Sequence, residues 1–258
     1  PQDLKFDGEV TYVEIGDNVN IRECATINRG TKASGRGVTR IGNNVLLMSY
    51  THVAHDCTVG NNCILVSYVG IAGETDVDDW ATIGGSSVAH QFSRIGKHAF
   101  IGGGCKINKD VPPYVLCGRD PLTYAGVNIV GLRRRGFTSD QIRSIKDMYD
   151  IIYSAGTNFS DDLAKIELGF PESEERDTIV SFIRNSKRGI IRGMNSETKG
   201  GDTDAVISIG ESAGEVALIC RKANDVANEE ILVYTSSDTL LSFSNKKYSK
   251  LTVDVKRE

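Results

Sequence analysis

The 258-residue sequence has no apolar run near the roughly 20 residues that span a bilayer, so no transmembrane helix is expected. Its first residues, Pro1-Gln2-Asp3-Leu4-Lys5, hold no basic segment followed by an apolar stretch; no signal peptide is expected, and no initiator Met is present. Basic residues are not in excess: 30 Lys and Arg against 34 Asp and Glu leave a net charge of −4, which argues against a general nucleic-acid binder. The six cysteines (Cys24, Cys57, Cys63, Cys105, Cys117 and Cys220) form no CxxC pair. That argues against a zinc knuckle or a thioredoxin-like site and fits a reduced, cytoplasmic setting. There are only 5 prolines, against 27 glycines and an ordinary 40% of hydrophobic residues. Such a balance calls for a search for repeats.

The repeat is there, with a period of six. From Ile41 the series runs Ile41, Leu47, Val53, Val59, Leu65, Ile71, Val77, Ile83, Ala89, Ile95, Ile101 and Ile107. The next position is often small (Gly42, Ala54, Gly60, Ala72, Gly84, Gly96, Gly102). Four residues after each aliphatic one, small or β-branched side chains recur, among them Cys57, Cys63 and Cys105, which read as buried apolar filler. Ile15, Ile21 and Ile27 carry the same period in another phase, and the glycines between Asn28 and Arg40 suggest an excursion loop at the break. A period of six fits neither an amphipathic helix nor an alternating strand. It fits a parallel β-helix of triangular section, in which three hexads make one coil and aliphatic residues stack eighteen positions apart. Small residues at the corners are expected to permit tight turns.

The period ends at Asp110-Val111-Pro112-Pro113-Tyr114, read as a rigid exit, with a loop following to about Phe137. Thr138 or Ser139 can cap a helix to about Ser154, with Ile142, Ile145, Met148, Tyr149 and Ile152 on one face and Gly156 as its stop. A second helix fits 172–187, acidic at its start and basic at its end. Residues 196–204 read as a linker. In the tail, Ala205–Ile209, Glu230–Thr235 and Leu251–Val255 look like strands and Glu211–Asn224 like a helix. The expected domains are therefore a β-helix over 1–114, an α-helical region over 115–195, and a linker with an unassigned tail over 196–258.

Of the four histidines, His52, His55 and His90 lie in His52-Val53-Ala54-His55-Asp56 and Val88-Ala89-His90-Gln91-Phe92. Val53 and Ala89 point inward, so their polar neighbours should project from the wall. One coil on from His55 stands Gly73, and one more brings Gln91, so these three should form a column about 4.8 Å per step. The layout suits acyl transfer: a histidine base, an unobstructed glycine N–H for an oxyanion and polar groups for an acceptor. Asp56 could orient the imidazole. Two other readings stay open: ordinary surface or interface histidines, and a three-histidine zinc site of His52 and His55 with His90 of a neighbouring subunit, as in gamma-class carbonic anhydrases.

The hexads resemble the hexapeptide-repeat acyltransferases, and that resemblance implies a left-handed coil and a homotrimer with sites between subunits. A more specific resemblance rests on an ordered set of motifs. They include Gln2-Asp3-Leu4-Lys5, Ile27-Asn28-Arg29-Gly30-Thr31, His52-Val53-Ala54-His55-Asp56-Cys57, Val88-Ala89-His90-Gln91-Phe92, Val127-Asn128-Ile129 and Gly131-Leu132-Arg133-Arg134-Arg135-Gly136-Phe137. Over residues 1–193 they closely resemble the acyl-carrier-protein:UDP-N-acetylglucosamine O-acyltransferase family of lipid A synthesis. The resemblance implies transfer of a 3-hydroxyacyl group from acyl carrier protein to the 3-hydroxyl of UDP-N-acetylglucosamine. His55 matches the general base, Asp56 its partner and Gly73 the oxyanion glycine. Asp3, Lys5, His52, Gln91, Asn128 and Arg134 match positions that contact the nucleotide sugar or line the site, and Arg135 a neighbouring basic position. No metal or organic cofactor is implied beyond the carrier protein's phosphopantetheine arm.

The match has departures. The family usually has further coils before the Gln-Asp-Leu-Lys loop, so the β-helix is expected to be N-terminally truncated. Glu74, Asn28 and Val130 stand where some members have His, His and Glu. Gly118–Leu122 matches the part that measures acyl length, and the tail after about Gly193 is foreign to the pattern.

Overall fold

The computed structural model describes residues 2–154 and 158–193 and, beyond them, the strands Ala205–Ser208, Ala217–Cys220, Ile231–Tyr234 and Val253–Asp254. The chain divides into two units at Ser196 and Glu197.

The first unit is built on a triangular prism of short strands. One wall stacks Tyr12–Ile15, Val38–Ile41, Thr58–Val59, Asp76–Val77 and Arg94–Ile95, all parallel. A second starts at Asn20–Ile21 and runs through Leu46–Leu47, Ile64–Leu65, Thr82–Ile83 and Phe100–Ile101. The third holds Thr26–Ile27, His52–Val53, Gly70–Ile71, Val88–Ala89 and Lys106–Ile107. Partners such as Ile41 and Val59, or Val53 and Ile71, lie eighteen residues apart, so each coil is three hexads. Ile15 instead pairs with Ile41 and Ile27 with Val53, which places eight extra residues in the excursion between Asn28 and Val38.

The inward series from Ile41 to Ile107 is buried throughout, as are Cys57, Cys63 and Cys105 of the filler series. Burial pushes the Cys57 and Cys63 thiols up to about 12, which keeps them protonated and inert. The corners differ from the expectation of small residues. At every sixth position from Asn44 to His98 the backbone is left-handed, yet the occupants include Tyr50, Asp56, Trp80 and His98; Gly104 alone continues the series with glycine. Each such residue costs about 1 kcal/mol or more, which the stacked walls over-determine. Small residues are needed elsewhere, just past the inward position. At Gly84 a Cβ would lie 2.5 Å from the Gly103 backbone nitrogen of the next coil.

The wall does not stop at Asp110. Val111 bridges to Ile95, and Val115–Gly118 pairs in parallel with Phe100–Ile101. Thr123–Val127 then pairs antiparallel with Val115–Gly118, and α1 (Ile129–Arg134) follows, so the expected loop is a hairpin and a short helix. The hexads end because this stacking advances by sixteen residues rather than eighteen. α2 (Ser139–Ile152) has the expected Thr138 cap, with a capping box to Gln141, and buries the five expected side chains. The Tyr149 hydroxyl donates to the Pro113 carbonyl at 2.6 Å and docks α2 on the prism end. α3 (Phe159–Gly169) was not anticipated; its signals are the Asn158 cap and two acidic residues in the first turn. α4 (Glu174–Arg184) starts later than expected because Ser173 caps it. The expected stop at Gly156 and the linker 196–204 lie outside the described residues.

In the second unit, Ala205–Ser208, Ala217–Cys220 and Ile231–Tyr234 are antiparallel neighbours and Val253–Asp254 pairs parallel to the last. The three expected strands are there. The helix expected over Glu211–Asn224 is replaced at its centre by the strand Ala217–Cys220, since a short apolar run carries no periodicity that separates the two.

Candidate active site

His55, Gly73 and Gln91 occupy the corner between the third wall and the first, each two residues past an inward position. The Asp56 carboxylate faces His55 Nδ1 at 2.9 Å. With Asp56 ionised, Nδ1 carries the hydrogen and Nε2 is the free acceptor. That nitrogen lies directly over Gly73: a Cβ there would stand 2.5 Å from it, so glycine is what admits the imidazole. Among the described residues no protein acceptor meets the Gly73 N–H.

Asp56 is fully buried. Burial alone would raise its carboxyl, but hydrogen bonds from Ser34, His55 and both donors of Thr31 hold it below the ordinary carboxylate value. Thr31, Ser34 and Arg36 from the excursion, and Thr39 from the strand that follows it, were missed as site residues. Their signal in the sequence is the phase break that creates the loop.

Asp3 reaches the same corner. Its Oδ2 is 4.0 Å from His55 Nδ1 and accepts from Thr31 Oγ1 at 3.1 Å. A hydrogen bond from the Lys5 backbone, foremost among several donors, holds its carboxyl low. Lys5 itself is exposed beside it. His52 projects from the third wall with Nδ1 2.7 Å from Thr26 Oγ1, and burial lowers its basicity. His90 turns to the Gln91 carbonyl, and both are exposed. Among the described residues no three His, Cys, Asp or Glu side chains converge as a metal would need.

The other expected residues lie at a different corner, between the first and second walls. Asn128 is buried and caps α1: its Oδ1 accepts from Gly131 N–H at 3.1 Å, and its Nδ2 donates to the His98 carbonyl at 3.0 Å. Arg135 sits over the Trp80 ring and donates to His98 Nδ1 at 3.3 Å. Arg134 is exposed on α1. Within one chain, then, the structure brings Asp3, His55, Asp56 and Gly73 together and sets Asn128, Arg134 and Arg135 apart.

Two families match this chain. One, described as UDP-N-acetylglucosamine O-acyltransferase, domain 2, covers residues 110–191. The other, the bacterial transferase hexapeptide of six repeats, covers residues 39–73. The acyl-[acyl-carrier-protein]–UDP-N-acetylglucosamine O-acyltransferase of Xylella fastidiosa is 45% identical over 193 residues, covering 74% of this chain and 73% of that protein. Its namesake in Alkalilimnicola ehrlichii is 43% identical over 192 residues, covering 74% of each chain. Among solved structures, a UDP-N-acetylglucosamine acyltransferase from Bacteroides fragilis superposes with a TM-score of 0.72 at 54% identity, covering 74% of each chain. The coil described above shares the left hand of these neighbours. The repeat, the ordered motifs and these likenesses agree: the chain belongs to the acyl-carrier-protein–UDP-N-acetylglucosamine O-acyltransferase family.

Proposed function

We propose that the chain transfers a 3-hydroxyacyl group from acyl carrier protein to the 3-hydroxyl of UDP-N-acetylglucosamine, the first step of lipid A biosynthesis, with His55 as general base. The observation that carries the role of His55 is its setting. One ring nitrogen is fixed by a buried carboxylate, and the other stands over Gly73, whose N–H meets no protein acceptor among the described residues. The sugar 3-hydroxyl attacks the thioester carbonyl as its proton passes to His55 Nε2. The new C–O bond forms, the carbonyl becomes an oxyanion facing the Gly73 N–H, and the C–S bond then breaks. The proton held by His55 goes to the departing phosphopantetheine thiolate. The buried Asp56 stabilises the imidazolium between these transfers. The donor's own pantetheine arm is the only prosthetic group this route uses.

Asp3, Lys5, His52 and Gln91 would serve the acceptor from the His55 corner. Asn128, Arg134 and Arg135 would serve it from the other corner of a neighbouring copy, with the arginines suited to a diphosphate. Two different faces meeting in this way form a head-to-tail contact, which a three-fold ring closes. Among the described residues no helix is long and apolar enough to cross a membrane. Reduced thiols and cytoplasmic donors make the cytoplasm the expected compartment.

Turnover of UDP-N-acetylglucosamine with a series of 3-hydroxyacyl carrier proteins tests this reading, with the mass of each species checked by light scattering. His55→Ala in a trimer is expected to lose about 10²–10⁴ of the activity. Equal activity of the variant and the wild type would remove His55 as base.

A further inference from the structure

The excursion loop and the strand that follows it meet every polar group of Asp56. The Thr31 N–H forks onto both carboxylate oxygens at 2.9 and 3.0 Å. Thr39 Oγ1 accepts the Asp56 N–H at 2.8 Å. Arg36 donates to the Asp56 carbonyl at 3.0 Å while its guanidinium is clamped on both oxygens of Asp76 at 2.6 and 3.0 Å. The fit is close: a Cβ on Gly30 would lie 2.6 Å from Asp56 Oδ1.

Thr31 is fully buried, and its hydroxyl has one proton for two carboxylates. Oγ1 stands 3.0 Å from Asp56 Oδ2 and 3.1 Å from Asp3 Oδ2. The same Asp56 oxygen receives His55 Nδ1. Asp3, Thr31, Asp56 and His55 therefore close into one cluster, with the threonine hydroxyl joining Asp3 of the Gln-Asp-Leu-Lys loop to the His55–Asp56 pair. We infer that Thr31 is a positioning residue, whose hydroxyl keeps Asp56 on His55 Nδ1 and Asp3 turned toward the acceptor sugar. This rests on the reading of His55 as base and Asp3 as acceptor contact.

Without the hydroxyl, two carboxylates of like charge face each other with one donor fewer, and each turns toward water or another donor. Rotation of Asp56 loosens the His55 tautomer and slows the chemical step. Rotation of Asp3 weakens the acceptor. The acyl donor is untouched by either change. Thr31→Val replaces the hydroxyl by a methyl of the same shape and keeps the backbone fork; Thr31→Ser keeps the hydroxyl and drops the methyl.

Steady-state kinetics of both, beside wild type and His55→Ala, provide the test. A hydrogen bond to a charged group predicts a fall in kcat of about tenfold or more for Thr31→Val. KM for UDP-N-acetylglucosamine should rise several-fold and KM for the acyl carrier protein should hold. Thr31→Ser should recover most of the loss. In an Asp3→Asn background the valine substitution should raise the acceptor KM less than it does alone. Should Thr31→Val not fold, Thr31→Ala, which also lacks the hydroxyl, is compared with Thr31→Ser. Wild-type kinetics in the valine variant, or a serine variant as impaired as the valine one, overturns the inference. An inactive His55→Ala beside a fully active Thr31→Val overturns it alone; an active His55→Ala removes the base reading and this inference with it.

Discussion

Two histidines stand at two corners of the same prism, at neighbouring steps of the same hexad, and their surroundings differ in kind. His55 has a buried carboxylate on one nitrogen and an open glycine amide below the other. His98 is wedged between Trp80 and Tyr114, with ring centroids 6.1 and 5.6 Å away, meets the edge of Phe137, and faces a guanidinium instead of a carboxylate. Burial first, then Arg135 and Lys97, push the His98 imidazole down to about 4. Near neutral pH it is a flat, uncharged acceptor that fixes Arg135. The backbones of the two corners also diverge. At the His98 corner the N–H groups of Asp17, Asn43 and Asn61 are met in turn by Asn43, Asn61 and Asp79 side chains, at 2.7, 2.9 and 2.6 Å. At the His55 corner the equivalent N–H of Gly73 meets no such side chain among the described residues. One corner closes its backbone N–H groups with its own side chains; the other leaves the Gly73 N–H open.

The sharpest way to break this comparison is Gly73→Ala. The added methyl would meet His55 Nε2 at 2.5 Å, and the ring is the far end of a movable side chain, so it swings off the amide. Activity should fall by about a hundredfold or more, since the base is displaced from its place over this residue, while the melting temperature holds. Gly84→Ala is the counterpart. Its methyl meets the backbone of the next coil, so it should lower the melting temperature, as a thermal melt of both variants would record. Retained activity in Gly73→Ala would mean that His55 does not work from above this glycine.

Much of this corner is legible in the sequence, because a β-helix converts sequence distance into spatial position. Eighteen residues is one coil, so His55 predicts Gly73 and Gln91 beneath it, and Asp56 comes with His55 as its neighbour. The excursion loop breaks that rule. Thr31 lies 25 residues from Asp56 and Arg36 lies 40 from Asp76, distances set by how an eight-residue insertion folds back, which no period encodes. The hairpin at Val115–Gly118 is hidden for a related reason, since a two-residue change in stacking erases the hexad while the wall goes on. Asn128 has a structural use that its motif does not encode: its amide caps α1 and bonds the His98 carbonyl.

A smaller effect is expected at His98. A histidine whose folded value is lowered takes up protons more readily unfolded, so stability is intact above the ordinary value of about 6.5 and falls as pH drops toward 4. The loss at pH 5 is on the order of 2 kcal/mol, or a few degrees of melting temperature. His98→Phe keeps a ring in the stack and titrates in neither state. Its melting temperature should therefore fall less than that of wild type between pH 7 and pH 5. Parallel falls in the two proteins would mean that the imidazole takes a proton in place, and that this corner is not as closed to charge as its packing implies.

The smallest effect sharpens the comparison most, because it uses the same hexad position as Gly73. Asn61 stands two residues past the inward Val59, as Gly73 stands two past Ile71. Its Oδ1 accepts the Asn43 N–H at 2.9 Å, and its Nδ2 reaches Asp79 at 3.2 Å. Asn61→Ala removes both links and leaves its own backbone bond to Asp79 in place. Asn43 is exposed, so water takes over its N–H, and the cost should sit near 0.5–1 kcal/mol, or about 1–4 °C of melting temperature. Turnover should match wild type. A measurable melting shift with full activity at Asn61, beside lost activity with an unshifted melt at Gly73, would separate the two corners by function at one position of one repeat. Lost activity in Asn61→Ala would instead mean that the ladder holds Asn128 and Arg135 in register for the acceptor, and that the second corner also belongs to the site through its backbone.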